Sequence, residues 1–223
     1  MSNDSFIREV DEELRTDKLK DFWSRYGLLI VGGAVAIALA TAAFVGWQAY
    51  TTSLANASGD RYSDALELAN EGNSEEALAK LVELEAAGYG QYAVLARMRA
   101  ASERHNAGNT DQAIADFDAV SADNSVPAML RDAARVRAAY LLVDAGSYQD
   151  VAQRAEPLTS ADNAFRHSAR EALAMAAWKD GRADDALLLI DELLSDVQVP
   201  GGIAQRATII RDLIISSGKV SQG

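Results

Sequence analysis

The chain has 223 residues, no cysteine and a formal net charge of −12. That length holds one or two ordinary domains, and the missing cysteines exclude a disulfide, a thiolate metal site and a cysteine nucleophile. The acidity argues against holding nucleic acid through its phosphates, and an Ala-rich apolar fraction of 49% with only three prolines favours helices over sheets.

Residues 1–26 form a charged leader with two short apolar stripes. Phe6, Val10 and Leu14 make the first; Leu19, Phe22, Trp23 and Tyr26 fall at i, i+3, i+4 and i+7 and make the second. Such a helix lies along the inner leaflet of a membrane or presents its face to a partner.

No charged residue occurs from Tyr26 to Gly59, and the apolar core of that window, Gly27 to Trp47, is 21 residues long. A helix of about 20 apolar residues crosses a hydrocarbon core, so a transmembrane helix is expected over 27–49. Trp23 and Tyr26 at one end, with Trp47 and Tyr50 at the other, suit the two membrane interfaces. Ala55-Asn56-Ala57 resembles a signal-peptidase site, but signal cores run about 7–15 residues after a short basic stretch. Here seven acids precede the run, and an uncleaved anchor fits better.

Orientation follows the lysines and arginines. Arg8, Arg15, Lys18, Lys20 and Arg25 stand before the run, whereas Arg61 and Lys80 are the first basic residues after it. The expected topology is therefore N-terminus in the cytoplasm and C-terminal domain exported. Within the run Gly32, Ala36 and Ala40 form a small-residue strip on which another membrane helix can pack.

A linker over 50–60 leads into repeats over 61–216, followed by a tail over 217–223. "GNSEEALAKL" begins at Gly72 and "GNTDQAIADF" at Gly108, and the same frame recurs at Gly146 and Gly181, with spacings of 36, 38 and 35 residues. Seven positions before each glycine stands an alanine: Ala65, Ala101, Ala139 and Ala174. Antiparallel helices approach closely only where their side chains are small, and a turn glycine supplies the left-handed conformation that ends a helix.

The second helices carry core stripes of helical period: Ala77, Leu81, Leu84; Ala113, Phe117, Val120; Val151, Ala155, Leu158; and Ala186, Ile190, Leu193. Ile203, Ala207, Ile210 and Ile214 mark a last helix, placed to cap the array with one polar face. The expected fold is all-α: one N-terminal transmembrane helix, then an α-solenoid of about four hairpins plus a C-terminal capping helix.

No catalytic constellation is present. His105 and His167 have no second ligand at helical spacing, "VGGAV" at Val31 to Val35 lacks the lysine of a phosphate loop, and Glu75-Glu76 and Asp184-Asp185 sit at helix starts where acids answer the dipole. Neither an enzyme activity, a cofactor, a metal nor a small-molecule substrate is expected.

Small residues at these offsets around a turn glycine resemble tetratricopeptide repeats, slightly lengthened. The usual aromatic four residues before the glycine is replaced by Leu68, Arg104, Leu142 and Ala177, and no proline closes a repeat at its customary place, although Pro127 and Pro200 lie near two junctions. In that repeat the first helix of each hairpin lines a groove. The resemblance implies a partner-binding groove at Tyr62 and Leu66, at Met98, His105 and Asn106, at Val136 and Tyr140, and at Met175 and Trp178. Met and aromatic rings suit a surface that accepts many sequences, and Asn106 can hydrogen-bond a peptide backbone.

The whole layout, a charged leader ending in "DFWSRYG", one span and an exported array, resembles the YfgM-like family of ancillary SecYEG translocon subunits. What this implies is a bacterial inner-membrane protein with a periplasmic domain, whose partners are the export translocon, periplasmic chaperones and exported polypeptides. The other expectation kept open is a structural accessory subunit or scaffold of a permanent envelope complex, for cell-envelope assembly or division.

Overall fold

In the computed structural model the backbone is described from Asn3 to Val220 and the side chains from Lys20 to Val220. The stripe Phe6, Val10 and Leu14, with Leu19 and the basic residues Arg8, Arg15 and Lys18, therefore lies outside the described side chains. The described residues are helical and hold no strand: α1 (Asn3–Asn70), α2 (Ser74–Ala87), α3 (Tyr92–Asn106), α4 (Thr110–Ala122), α5 (Ala128–Ala145), α6 (Tyr148–Ala155), a 3₁₀ turn (Glu156–Leu158), α7 (Arg166–Lys179), α8 (Ala183–Ser195) and α9 (Gly201–Ser216). They fall into two units, Met1–Asn56 and Ala57–Gly223.

In the first unit the uncharged run is helix throughout and its side chains are exposed over 28–50, Leu28 being 87% exposed. By length and composition this stretch can cross a membrane; its apolar window has a mean hydropathy of 2.5 and none of it is buried. Thr41 Oγ1 donates back to the Ile37 carbonyl at 2.8 Å, so its hydroxyl is satisfied without water. Rings cluster at both ends, Phe22 against Tyr26 and Trp47 against Tyr50. Gly32, Ala36 and Ala40 are exposed, and a Cβ at Gly32 would meet nothing within 4 Å.

The stretch over 50–60, expected as a linker, is helical and belongs to α1. The reason is compositional: it holds no proline and one glycine, and a short polar stretch between helix formers costs too little to break the ladder. Ser58, beside the small-residue site considered for cleavage, is buried and accepts a 2.9 Å hydrogen bond from the Tyr89 backbone N–H.

In the second unit the end of α1 pairs with α2, α3 with α4, α5 with α6 and α7 with α8. The four alanines of the crossings are completely buried, and so are the core residues of all four second-helix stripes to within 2%. Phe117, Leu81, Leu84, Ile190 and Leu193 are the large payload, each contributing roughly 1.5–3 kcal/mol by leaving water.

Three of the four turns are alike. At Gly72, Gly108 and Gly181 φ is +86°, +88° and +78°. In each, the residue after the glycine donates to a carbonyl five back, as in Asn109 N–H to Arg104 O at 2.8 Å, which satisfies the orphan carbonyls of the ended helix. That same residue (Asn73, Asn109 or Arg182) is the N-cap of the next helix.

Gly146 departs from the left-handed expectation. Its φ is −115°, and only Gly146 and Ser147 separate α5 from α6. A glycine is needed here for space: a Cβ would come within 2.8 Å of Leu142 Cδ2 and 3.2 Å of the Leu142 carbonyl oxygen. The start of α6 is held instead by a capping box between Ser147 and Asp150. Pro157 then ends α6 after eight residues, and the extra length of this repeat follows as a 3₁₀ turn and loop. Pro127 and Pro200 are the N-caps of α5 and α9.

The last helix also departs from expectation. α9 buries Ala207 and Ile214 against α7 and α8, but Ile209, Leu213 and Ile215 are more than half exposed, so its outer side is apolar as much as polar.

Candidate partner-binding face

The first helices of the hairpins are bridged to one another by side chains. Arg137 Nη1 on α5 donates to Ser102 Oγ on α3 at 3.2 Å, and Tyr140 on α5 donates from its hydroxyl to Glu171 Oε2 on α7 at 2.6 Å. Arg206 on α9 grips the same carboxylate with both arms, Nε to Oε1 and Nη2 to Oε2, each at 2.7 Å. Lys179 ends α7 with its ammonium on the Val143, Asp144 and Gly146 carbonyls of α5's end, where a cation complements the dipole.

Glu171 is 0% exposed, yet its carboxylate is fully partnered. Burial pushes the Tyr140 hydroxyl well above the ordinary tyrosine range, and its bond to the negative Glu171 pushes the same way. The hydrogen bonds to Glu171 hold the Arg206 charge more firmly than usual. On α3, Arg99 Nη2 lies 2.7 Å from Glu103 Oε1 without hydrogen-bond geometry, leaving that oxygen and the buried Arg99 Nε without a hydrogen-bond partner.

The residues expected to line a groove take different surroundings. Tyr62 is half-buried with its ring 6.2 Å from Tyr92; burial raises its pKa, and the nearby charges of Arg99 and Arg137 oppose that rise. Leu66, Tyr140, Met175 and Trp178 are half-buried, and Lys219 Nζ lies 5.3 Å from the Trp178 ring centre. His105 and Asn106 are exposed at the end of α3, with His105 Nδ1 3.0 Å from Thr110 Oγ1. Met98 and Val136 retain only 6% exposure; they pack in the core, Met98 among Phe117, Val120 and Val126.

Glu171 stands ten residues before Gly181, the same position as Tyr62, Met98 and Val136 in their repeats, and a search for rings and methionines passes over it. Its partners lie 31 residues before and 35 after, beyond any local signal.

His167 is buried, with Nε2 2.7 Å from Asp196 Oδ2, which also accepts from Arg166. The Gln198 backbone N–H and then His167 hold the Asp196 carboxyl at about 2. Among the described residues no three carboxylate or imidazole groups gather as a metal site would require.

Stacked helical hairpins closed by glycine turns and packed through alanine crossings define an α-solenoid, a class generally used as protein-interaction modules. The model of one such family, the tetratricopeptide repeat-like domain, matches residues 20–187, and the chain belongs to that family. No curated protein and no solved structure matches the chain.

Proposed function

We propose that this is an inner-membrane-anchored bacterial repeat protein, its N-terminus cytoplasmic and its repeats periplasmic, that binds polypeptides beside the protein-export translocon and assists their hand-over to periplasmic chaperones. The observation that carries it is the pairing of a bare, uncharged helix with a protein-interaction array inside one family match, residues 20–187. The excess of Lys and Arg before the run supports the orientation. Ser58, buried within an unbroken helix, supports an anchor that stays uncleaved.

Alkaline phosphatase fused after Gly223 is then active, and the protein still carries its leader. An inactive fusion, or a processed N-terminus near Ser58, overturns the topology. Crosslinking followed by affinity purification from gently solubilised membranes brings down translocon components with varied exported chains. One observation favours the second reading, a permanent accessory subunit or scaffold: Met98 and Val136 lie in the core and offer a client little surface. A single stoichiometric partner in the purification decides for it.

A further inference from the structure

Charge is sorted between the two helix layers. The second helices α2, α4, α6 and α8 carry twelve acidic residues and two basic ones. The first helices α3, α5 and α7, with α9, carry eleven basic residues and five acidic ones; the end of α1, with Asp60, Asp64 and Glu67 beside Arg61, does not share that balance. In a chain of net charge −12 this is a basic layer laid against an acidic one.

Part of the sorting is internal. Arg97 pairs with Glu85, Arg104 with Asp116, Arg166 with Asp196 and Arg211 with Asp191, each tying a first-layer helix to a second-layer helix or its end. Of the other first-layer arginines, three are used here. Arg137 is exposed and anchored by one 3.2 Å bond to Ser102. Arg206 is 56% exposed at its side chain, its Nε and Nη2 engaged by Glu171. Arg99 keeps about a third of its side chain exposed, and its charge and that of Arg137 both act on the Tyr62 hydroxyl.

We infer that this strip on the first-helix layer, Arg99, Arg137 and Arg206 with the Tyr62 hydroxyl, receives an acidic stretch of polypeptide. The inference deepens the partner-binding reading and rests on it. Packed helices stand about 8–10 Å apart, and an extended chain advances about 3.3 Å per residue, so carboxylates roughly three residues apart meet successive helices. The exposed Arg137 guanidinium can take a carboxylate through paired N–H donors, while Arg206, with Nε and Nη2 on Glu171, adds its Nη1 and its charge. A nucleic acid fits poorly, because the chain carries a net charge of −12 and a long polyanion would extend past three arginines.

The test uses the full chain in detergent micelles and a short labelled peptide with Glu at about every third position, beside the same peptide with Gln. The Glu peptide is expected to bind about tenfold tighter in about 50 mM salt, the preference fading in about 500 mM. Arg137→Glu is expected to abolish that preference, Arg137→Lys to keep part of it, and Lys80→Glu on the second layer to leave it intact. Because Arg137 is exposed, the melting temperature of its variants checks that folding is unaffected. Equal binding of the two peptides, absence of binding, or an Arg137→Glu protein that still prefers Glu overturns the inference. Vesicles containing phosphatidylglycerol that bind through Arg137 while the peptides do not also overturn it, in favour of lipid headgroups. Neutral peptides bound without any preference for acid leave client binding standing and remove only this specificity.

Discussion

The second and third hairpins close by different means. Between α3 and α4 a glycine at φ +88° reverses the chain, and the N-cap Asn109 makes no side-chain bond to its helix. Between α5 and α6 the glycine has ordinary φ, the turn is one residue shorter, and a Ser147–Asp150 capping box holds the start of a helix of eight residues rather than thirteen. One problem, a sharp reversal with orphan backbone groups, is solved once by backbone freedom and once by side-chain chemistry. The short α6 is compensated from outside: Arg154 forks onto Asp118 of α4, Nη2 to Oδ2 at 2.6 Å.

What the two hairpins share is the crossing. Replacing Ala101 or Ala174 with Leu overpacks a fully buried contact and lowers stability by about 1–3 kcal/mol, whereas the exposed Ala79→Leu changes little. Ala139→Leu in the third hairpin costs as much as the other two in thermal melts. A markedly cheaper Ala139→Leu breaks the equivalence.

Turn substitutions sharpen the contrast. Gly108→Ala and Gly181→Ala meet open space but cost about 1–2 kcal/mol for the left-handed backbone, and Asn in place of Ala recovers part of it. At Gly146 the penalty comes from crowding by Leu142, so Asn gives no relief and a double-mutant cycle with Leu142→Ala reveals coupling. Urea unfolding of the variants separates the two cases.

The caps come next in size. Ser147→Ala removes a bonded N-cap and costs about 1 kcal/mol, while Asn109→Ala, with no such bond to lose, is near neutral.

The smallest effect is a pH dependence, carried in the third hairpin by the capping box. The Ser147 hydroxyl and then its backbone N–H lower the Asp150 pKa, so this contribution is present above the ordinary carboxylate value and is lost as pH falls through the lowered one. Asp196, held at about 2 against an ordinary 3.8, behaves the same way. Melting temperature therefore drops below about pH 4, and Asp150→Asn flattens part of that drop; an unchanged profile argues against the box.

Much of the array is written in short-range pattern. Glycine spacing with an alanine seven residues earlier marks each hairpin, and period-3.6 stripes mark the buried sides, because these features are local consequences of helix geometry. The Gly146 backbone could not be read, since a glycine shows that something is needed and not whether it is φ or space. Ser147-x-x-Asp150 was readable as a capping pattern once the turn length was known. The partner face was least legible. Position ten before the glycine is a core methionine in one repeat and a buried glutamate in another, and which it becomes depends on helices more than thirty residues away.

Glu171 bears on how the array comes apart. The last element of a linear stack has a neighbour on one side only and ordinarily frays first. Here lifting α9 pulls Arg206 off a carboxylate that is wholly dry, leaving it to a single phenol on α5. The C-terminal helix is thus latched: its amides should exchange with solvent together with those of α7 and α5, as one cooperative block, and not ahead of them. Under a pulling force applied at the C-terminus, the same latch would set the first yield point at the loss of the block from α5 to α9 rather than of one helix.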